Sequence, residues 1–112
     1  MGNVLSVDYI ILTKKDKCRM SSWKTQKINC EDWIKTLLDY NCSIYCHRCL
    51  APFFTYRNGM TSKVLDHDHS VIYNNIRGVI CFSCNASLRH IDIGVMPDFF
   101  PHYINSFEIS KK

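Results

Sequence analysis

Two Cys-x-x-Cys pairs constrain this chain more than any other feature: Cys46 with Cys49 and Cys81 with Cys84, with 31 residues between the pairs. Two intervening residues let a turn present both sulfurs to one ion at about 2.3 Å, and two such pairs supply the four thiolates of a tetrahedral zinc site. No coordination position is then left open. The zinc is therefore expected to be structural, one per chain, and to add folding energy. That contribution matters because a chain of 112 residues is a single domain that buries only about two thirds of the surface its unfolded form exposes. Cys18, Cys30 and Cys42 stand outside the pairs, and their expected role is that of small buried hydrophobes or indifferent surface thiols.

Disulfides are the competing use for seven cysteines. An odd total fits full pairing poorly, and Cys-x-x-Cys in a reducing compartment more often holds metal. The opening MGNVLSVD has no basic region followed by a long apolar run, and no stretch of the sequence approaches the ~18 apolar residues of a membrane span. An intracellular location without integral membrane association is expected. The net charge of +4 and pI of about 8.7 permit a polyanionic partner without demanding one.

No repeat or low-complexity run divides the chain. VLSVDYIILT, residues 4–13, mixes β-branched and aromatic residues and is expected to be a short strand. The basic, polar KKDKCRMSSWKTQK that follows is expected to be a loop able to touch phosphates. From Asn29 the pattern changes: with Asn29 as N-cap, Glu31 and Asp32 suit a first turn, and Trp33, Ile34, Leu37 and Leu38 keep helical spacing, predicting a helix over roughly 30–40. KVLDHDH and VIYNNIRGVICF read as two extended segments joined around an Asn74-Asn75 turn. SCNASLRHI reads as a helix with Ser83 as its N-cap, and FFPHYINSFEI as a C-terminal helix with Pro101 in its first turn. The predicted order through the centre is strand, strand, helix.

With the thiolates assigned to zinc, Asp66, His67, Asp68 and His69 need another explanation. Period-two alternation on an extended segment sends the two aspartates to one face and the two histidines to the other. Asn85 falls in the first turn of the helix that Cys84 pins.

CHRC (46–49), LDHDH (65–69), RGVICFSCN (77–85) and the tail LRHIDIGVMPDFFPHYINSFE together resemble the ββα-metal or His-Me finger (HNH-like) nucleases, and among them the phage recombination endonuclease VII family, over about residues 31–108. The resemblance implies an α+β fold: a small zinc-stapled ββα-metal finger flanked by an N-terminal and a C-terminal helix, spanning 29–112, with 1–28 as an extension of short strand plus basic segment. It also implies a Mg²⁺-dependent DNA endonuclease. In that reading Asp66 and Asn85 hold Mg²⁺, which Mn²⁺ can replace, and His67 is the general base. His69 orients the phosphate, and Arg77 and Lys63 contact the nucleic-acid backbone. The expected products carry a 5′-phosphate and a 3′-hydroxyl. The expected substrates are branched, Holliday-junction-like or distorted duplexes, in the cytoplasm or nucleus of a cell, including a virus-infected one.

Relatives can carry a carboxylate three positions after the asparagine, where this chain has Leu88; Asp68 or a neighbour is the expected substitute, or metal binds more weakly. Junction resolution implies a homodimer. The family's larger members swap long C-terminal helices, and a chain ending at Lys112 is not expected to do so. Two alternatives remain open: a zinc-stabilised nucleic-acid-binding module without catalysis, and a nicking, homing or packaging-associated enzyme with the same chemistry. Separately, MGNVLS matches the N-myristoylation pattern, which requires a eukaryotic host.

Overall fold

The computed structural model describes residues 12–110. The strand expected over 4–13 and the MGNVLS pattern lie outside these residues or at their very edge. The segment expected to be a loop is a helix, α1 (Lys14–Thr25). Its sequence has no apolar stripe, and what holds it is a capping box with one aromatic anchor. The Thr13 hydroxyl accepts from the Asp16 N–H at 3.0 Å while the Asp16 carboxylate accepts from the Thr13 N–H at 3.3 Å, satisfying two orphan donors of the first turn. Trp23, the buried residue of α1, stacks on Trp33 at 6.4 Å and meets the Tyr40 ring edge-on at 5.1 Å.

The second helix, α2 (Trp33–Cys42), begins three residues later than expected, with Asp32 rather than Asn29 as its N-cap. The Asp32 carboxylate accepts from the Lys35 N–H at 3.0 Å. Asn29 has other work. Its N–H donates to the Asn75 side-chain oxygen and its carbonyl accepts from the Asn75 N–H, so its backbone is tied to the hairpin turn. Asn74 takes the left-handed conformation there, with φ 51°, as the Asn-Asn turn requires.

Strands β1 (Lys63–His67) and β2 (Ile76–Cys81) pair antiparallel, with Leu65 opposite Val79 and Asp66 opposite Gly78. The register then slips so that His67 faces Ile76, leaving Arg77 as the extra residue of a bulge. Helix α3 (Phe82–Asp92) follows β2 at once, capped by Cys81 and not by Ser83, and α4 (Pro101–Ser110) starts at Pro101. The order strand, strand, helix holds.

Two apolar clusters lie across this hairpin. Trp23, Leu37, Tyr40, Leu65 and Val79 form one, while Cys46, Ile80, Cys84, Leu88 and Tyr103 form the other. Val79 and Ile80 are neighbours in β2, so period-two alternation sends them to opposite faces. The hairpin is thus covered by α1 and α2 on one side and by α3 and α4 on the other. No helix among the described residues is long and apolar enough to cross a membrane.

Candidate functional site

Four sulfurs come together at the start of α3. Cys46 and Cys49 leave the turn after α2, Cys81 ends β2, and Cys84 sits in the first turn of α3. All four Sγ atoms lie within 4.8 Å of one another. Cys46 and Cys84 are 3.7 Å apart and Cys49 and Cys81 3.9 Å, against the roughly 3.8 Å that separates ligands about 2.3 Å from the centre of a tetrahedron. The donor set and its spacing therefore fit a metal ion, and are compatible with structural zinc. The sulfur of Cys46 accepts from the backbone N–H groups of Arg48, Cys49 and Cys81. Burial pushes the Cys46 thiol up, but these donors outweigh it and bring the pKa down to about 7. Such donors favour a thiolate. Burial pushes the Cys84 thiol up instead.

The residues around the cysteines hold the turn in place. His47 donates its N–H to the Val79 carbonyl and accepts from the Val79 N–H at Nδ1, joining the Cys-x-x-Cys turn to β2. The Arg48 side chain is buried, pairs with Asp98 at 3.0 Å and lies over the Phe100 ring. A fixed cation beside four thiolates offsets their excess negative charge.

A cleft of about 670 Å³ opens beside this centre, and Asp66, His67, Asp68, His69, Asn85 and Leu88 all line it. Asp66 comes from the buried end of β1 and Asn85 from α3. Bonds from two other elements hold Asp66: Arg77 donates from Nε at 2.8 Å and Nη2 at 3.3 Å, and the Tyr103 hydroxyl of α4 donates at 2.9 Å. A carboxylate has about four acceptor positions, so three are used and one, on Oδ1, remains for a further partner. Tyr103 resists ionisation because burial and the Asp66 charge both push its pKa up.

Arg77, expected at the nucleic-acid backbone, is 3% exposed in its side chain and also pairs with Asp92. Burial works against its charge, yet the hydrogen bonds and charges of Asp92 and Asp66 outweigh it and hold its pKa above the ordinary value. Lys63 donates to the Tyr40 carbonyl at 2.9 Å and lies over the Tyr40 and Phe53 rings.

His67 and His69 stand together, their ring centroids 4.3 Å apart, although β1 ends at His67 and His69 lies in the turn that follows, so this contact is made by the turn and not by strand alternation. Burial lowers the His67 pKa first, the charge of His69 adds to this, and Asp66 opposes it. The neutral imidazole is therefore the form present at neutral pH. Asp68 lies at the cleft in the turn after β1, one carboxylate oxygen accepting from the Ser70 N–H at 2.9 Å and the Ser70 hydroxyl at 2.7 Å. Leu88 is 1% exposed and belongs to the core. The carboxylates that reach the cleft near it are Asp92 and Glu108, contributed by α3 and α4. Sequence patterning marked neither them nor Tyr103, whose contact with Asp66 spans 37 positions.

Gly78 permits this arrangement. A Cβ there would lie 2.9 Å from Tyr103 Cε1 and 3.0 Å from His47 Nδ1, two groups fixed by their own bonds. Gly78→Ala is expected to cost about 1–3 kcal/mol, the usual range for overpacking a filled site. Urea or thermal unfolding of the metal-loaded protein measures this, and an unchanged midpoint would show that the packing relaxes freely.

Comparison with known proteins joins the two sites. No curated protein and no solved structure gives a match. The family model described as recombination endonuclease VII matches residues 17–105, a span that runs from α1 into α4 and contains the four cysteines, Asp66, His67, Asn85 and Tyr103. A match over most of the chain settles its kinship: the protein belongs to the recombination endonuclease VII family.

Proposed function

We propose that the protein is a Mg²⁺-dependent DNA endonuclease acting on branched or distorted duplexes, and that Asp66, His67 and Asn85 carry the reaction. The observation that supports this is their convergence on one cleft in a chain of this family. Asp66 offers a carboxylate oxygen with a free acceptor position and Asn85 an amide oxygen, both hard donors of the kind Mg²⁺ takes together with water and phosphate oxygens. When bound, the ion offsets the negative charge that develops on the phosphate and the departing 3′ oxygen. The neutral His67 imidazole takes the proton of the attacking water. His69, in ring contact with His67, orients the phosphate. Attack at phosphorus with loss of the 3′ oxygen leaves a 5′-phosphate and a 3′-hydroxyl. The four cysteines hold zinc, which keeps the start of α3, and so Asn85, in register with β1. Paired incisions at a junction call for two copies of the chain about a twofold axis.

Cleavage of a four-way junction and a supercoiled plasmid, with Mg²⁺ and with Mg²⁺ withheld, tests the reading. Asp66→Ala and Asn85→Ala are expected to abolish cleavage while keeping the cysteine-bound metal, and Mn²⁺, which tolerates more varied coordination, is expected to restore part of the Asn85→Ala activity. Wild-type rates from either variant in limiting Mg²⁺ would overturn the ligand assignment.

A further inference from the structure

The face of β1 nearer α1 borders a second groove of about 680 Å³. Lys15 and Arg19 of α1 and Lys63 of β1 line it, and among the described residues no aspartate or glutamate does. Arg19 lies 4.9 Å from the centroid of the Tyr40 ring and Lys63 5.0 Å from the same centroid, so two cations share one aromatic ring. Neither has a salt bridge among the described residues. Burial and then the Arg19 charge hold the Lys63 ammonium below its ordinary pKa; a bound anion relieves that repulsion.

Charge separates this groove from the cleft it adjoins. Among the described residues the cleft is lined by four carboxylates, of Asp66, Asp68, Asp92 and Glu108, against the guanidiniums of Arg77 and Arg89. A phosphate is thus repelled from the cleft until a cation enters it, and attracted to the groove with or without one. Gln26, Val64 and Leu65 border both, so the two adjoin along β1. From Lys63 to Asp66 is three residues of extended strand, about 10 Å, a span that a short stretch of one strand's backbone covers.

We propose that Lys15, Arg19 and Lys63 form a track for the phosphate backbone of one DNA strand, holding it beside the cleft and delivering it there. This rests on the endonuclease reading for the identity of the polyanion. Contacts of this kind fix position without reading sequence.

The test is the salt dependence of binding to a labelled duplex of random sequence, in buffer without Mg²⁺, by the full chain. The double variant Lys15→Gln with Arg19→Gln keeps helix propensity and is expected to make the negative slope of log K against log salt shallower by about 1.8, or about 0.9 per lost phosphate contact. Zinc content should not change. Lys35→Gln, outside the groove and paired with Asp39, is expected to keep the wild-type slope. If the double variant does not fold, Lys15→Gln alone, at an exposed position of α1, is expected to make the slope shallower by about 0.9. A wild-type slope in these α1 variants overturns the track. Wild-type cleavage in Mg²⁺ is measured in parallel. Cleavage with an unmoved slope rejects the track and keeps the nuclease; a shallower slope without wild-type cleavage keeps the track and rejects the nuclease.

Discussion

Cys46→Ser and Cys84→Ser are each expected to leave no folded protein. Both sulfurs sit in the interior, Cys46 fully buried and Cys84 nearly so, and with Ile80, Leu88 and Tyr103 they form one of the two apolar clusters. Structural zinc contributes about 10–16 kcal/mol of apparent binding free energy to the fold that creates its site, whereas a whole domain is stable by only about 5–15 kcal/mol. Loss of one thiolate from a four-thiolate site therefore removes a share of that binding energy large against a margin of this size. Elemental analysis of the wild type is expected to give about one zinc per chain, because four thiolates complete its tetrahedral shell. Prolonged chelation should abolish the far-ultraviolet circular dichroism of the native state. Cys18→Ser, at an exposed position outside the cluster, should melt like the wild type. Zinc-free protein with native dichroism and an unchanged melting point would show that the cysteines act only as core residues.

His67→Ala is expected to slow cleavage by about 10²–10⁴, the usual loss on removing a general base. Neither zinc nor DNA binding uses this imidazole, so the variant should retain its metal and still shift a DNA substrate on a gel. The wild-type pH profile carries the sign of the argument. The working form is neutral, and burial holds the His67 pKa below its ordinary 6.5; the base is thus fully available at pH 7 and above. Cleavage should be flat there and fall about tenfold per pH unit once the pH drops below the His67 pKa. A His67→Ala enzyme within about threefold of the wild type, well short of the general-base range, would remove His67 from the mechanism and favour a binding module.

The elements that could be read from the sequence are those whose signals are local. The Asn74-Asn75 turn, the two extended segments around it and Pro101 at the start of α4 follow from conformational preferences of one or two residues. The ends of α2 and α3 were displaced because the expected caps are engaged elsewhere or overtaken. Asn29 spends its backbone on Asn75, and the chain enters α3 directly at Phe82, before Ser83 can cap it. Helix α1 carries no local signal for a different reason: its polar composition has no stripe, and the residue that anchors it, Trp23, meets Trp33 and Tyr40 of α2 only through tertiary packing.

Spacing alone marked the four cysteines as a metal-ligand set, since two residues between cysteines put both sulfurs on one turn in any tertiary arrangement; the contact of His67 with His69 instead comes from the turn that follows β1. What surrounds them was decided by docking. Asp66 is held by Arg77 from across a bulge and by Tyr103 from a helix 37 positions away. Leu88 is sealed into the core while Asp92 and Glu108 reach the cleft. These contacts depend on where α3 and α4 come to rest against the hairpin, and that position is set by the summed packing of Ile80, Leu88 and Tyr103 around the cysteines, a many-body condition that no local pattern in the chain encodes.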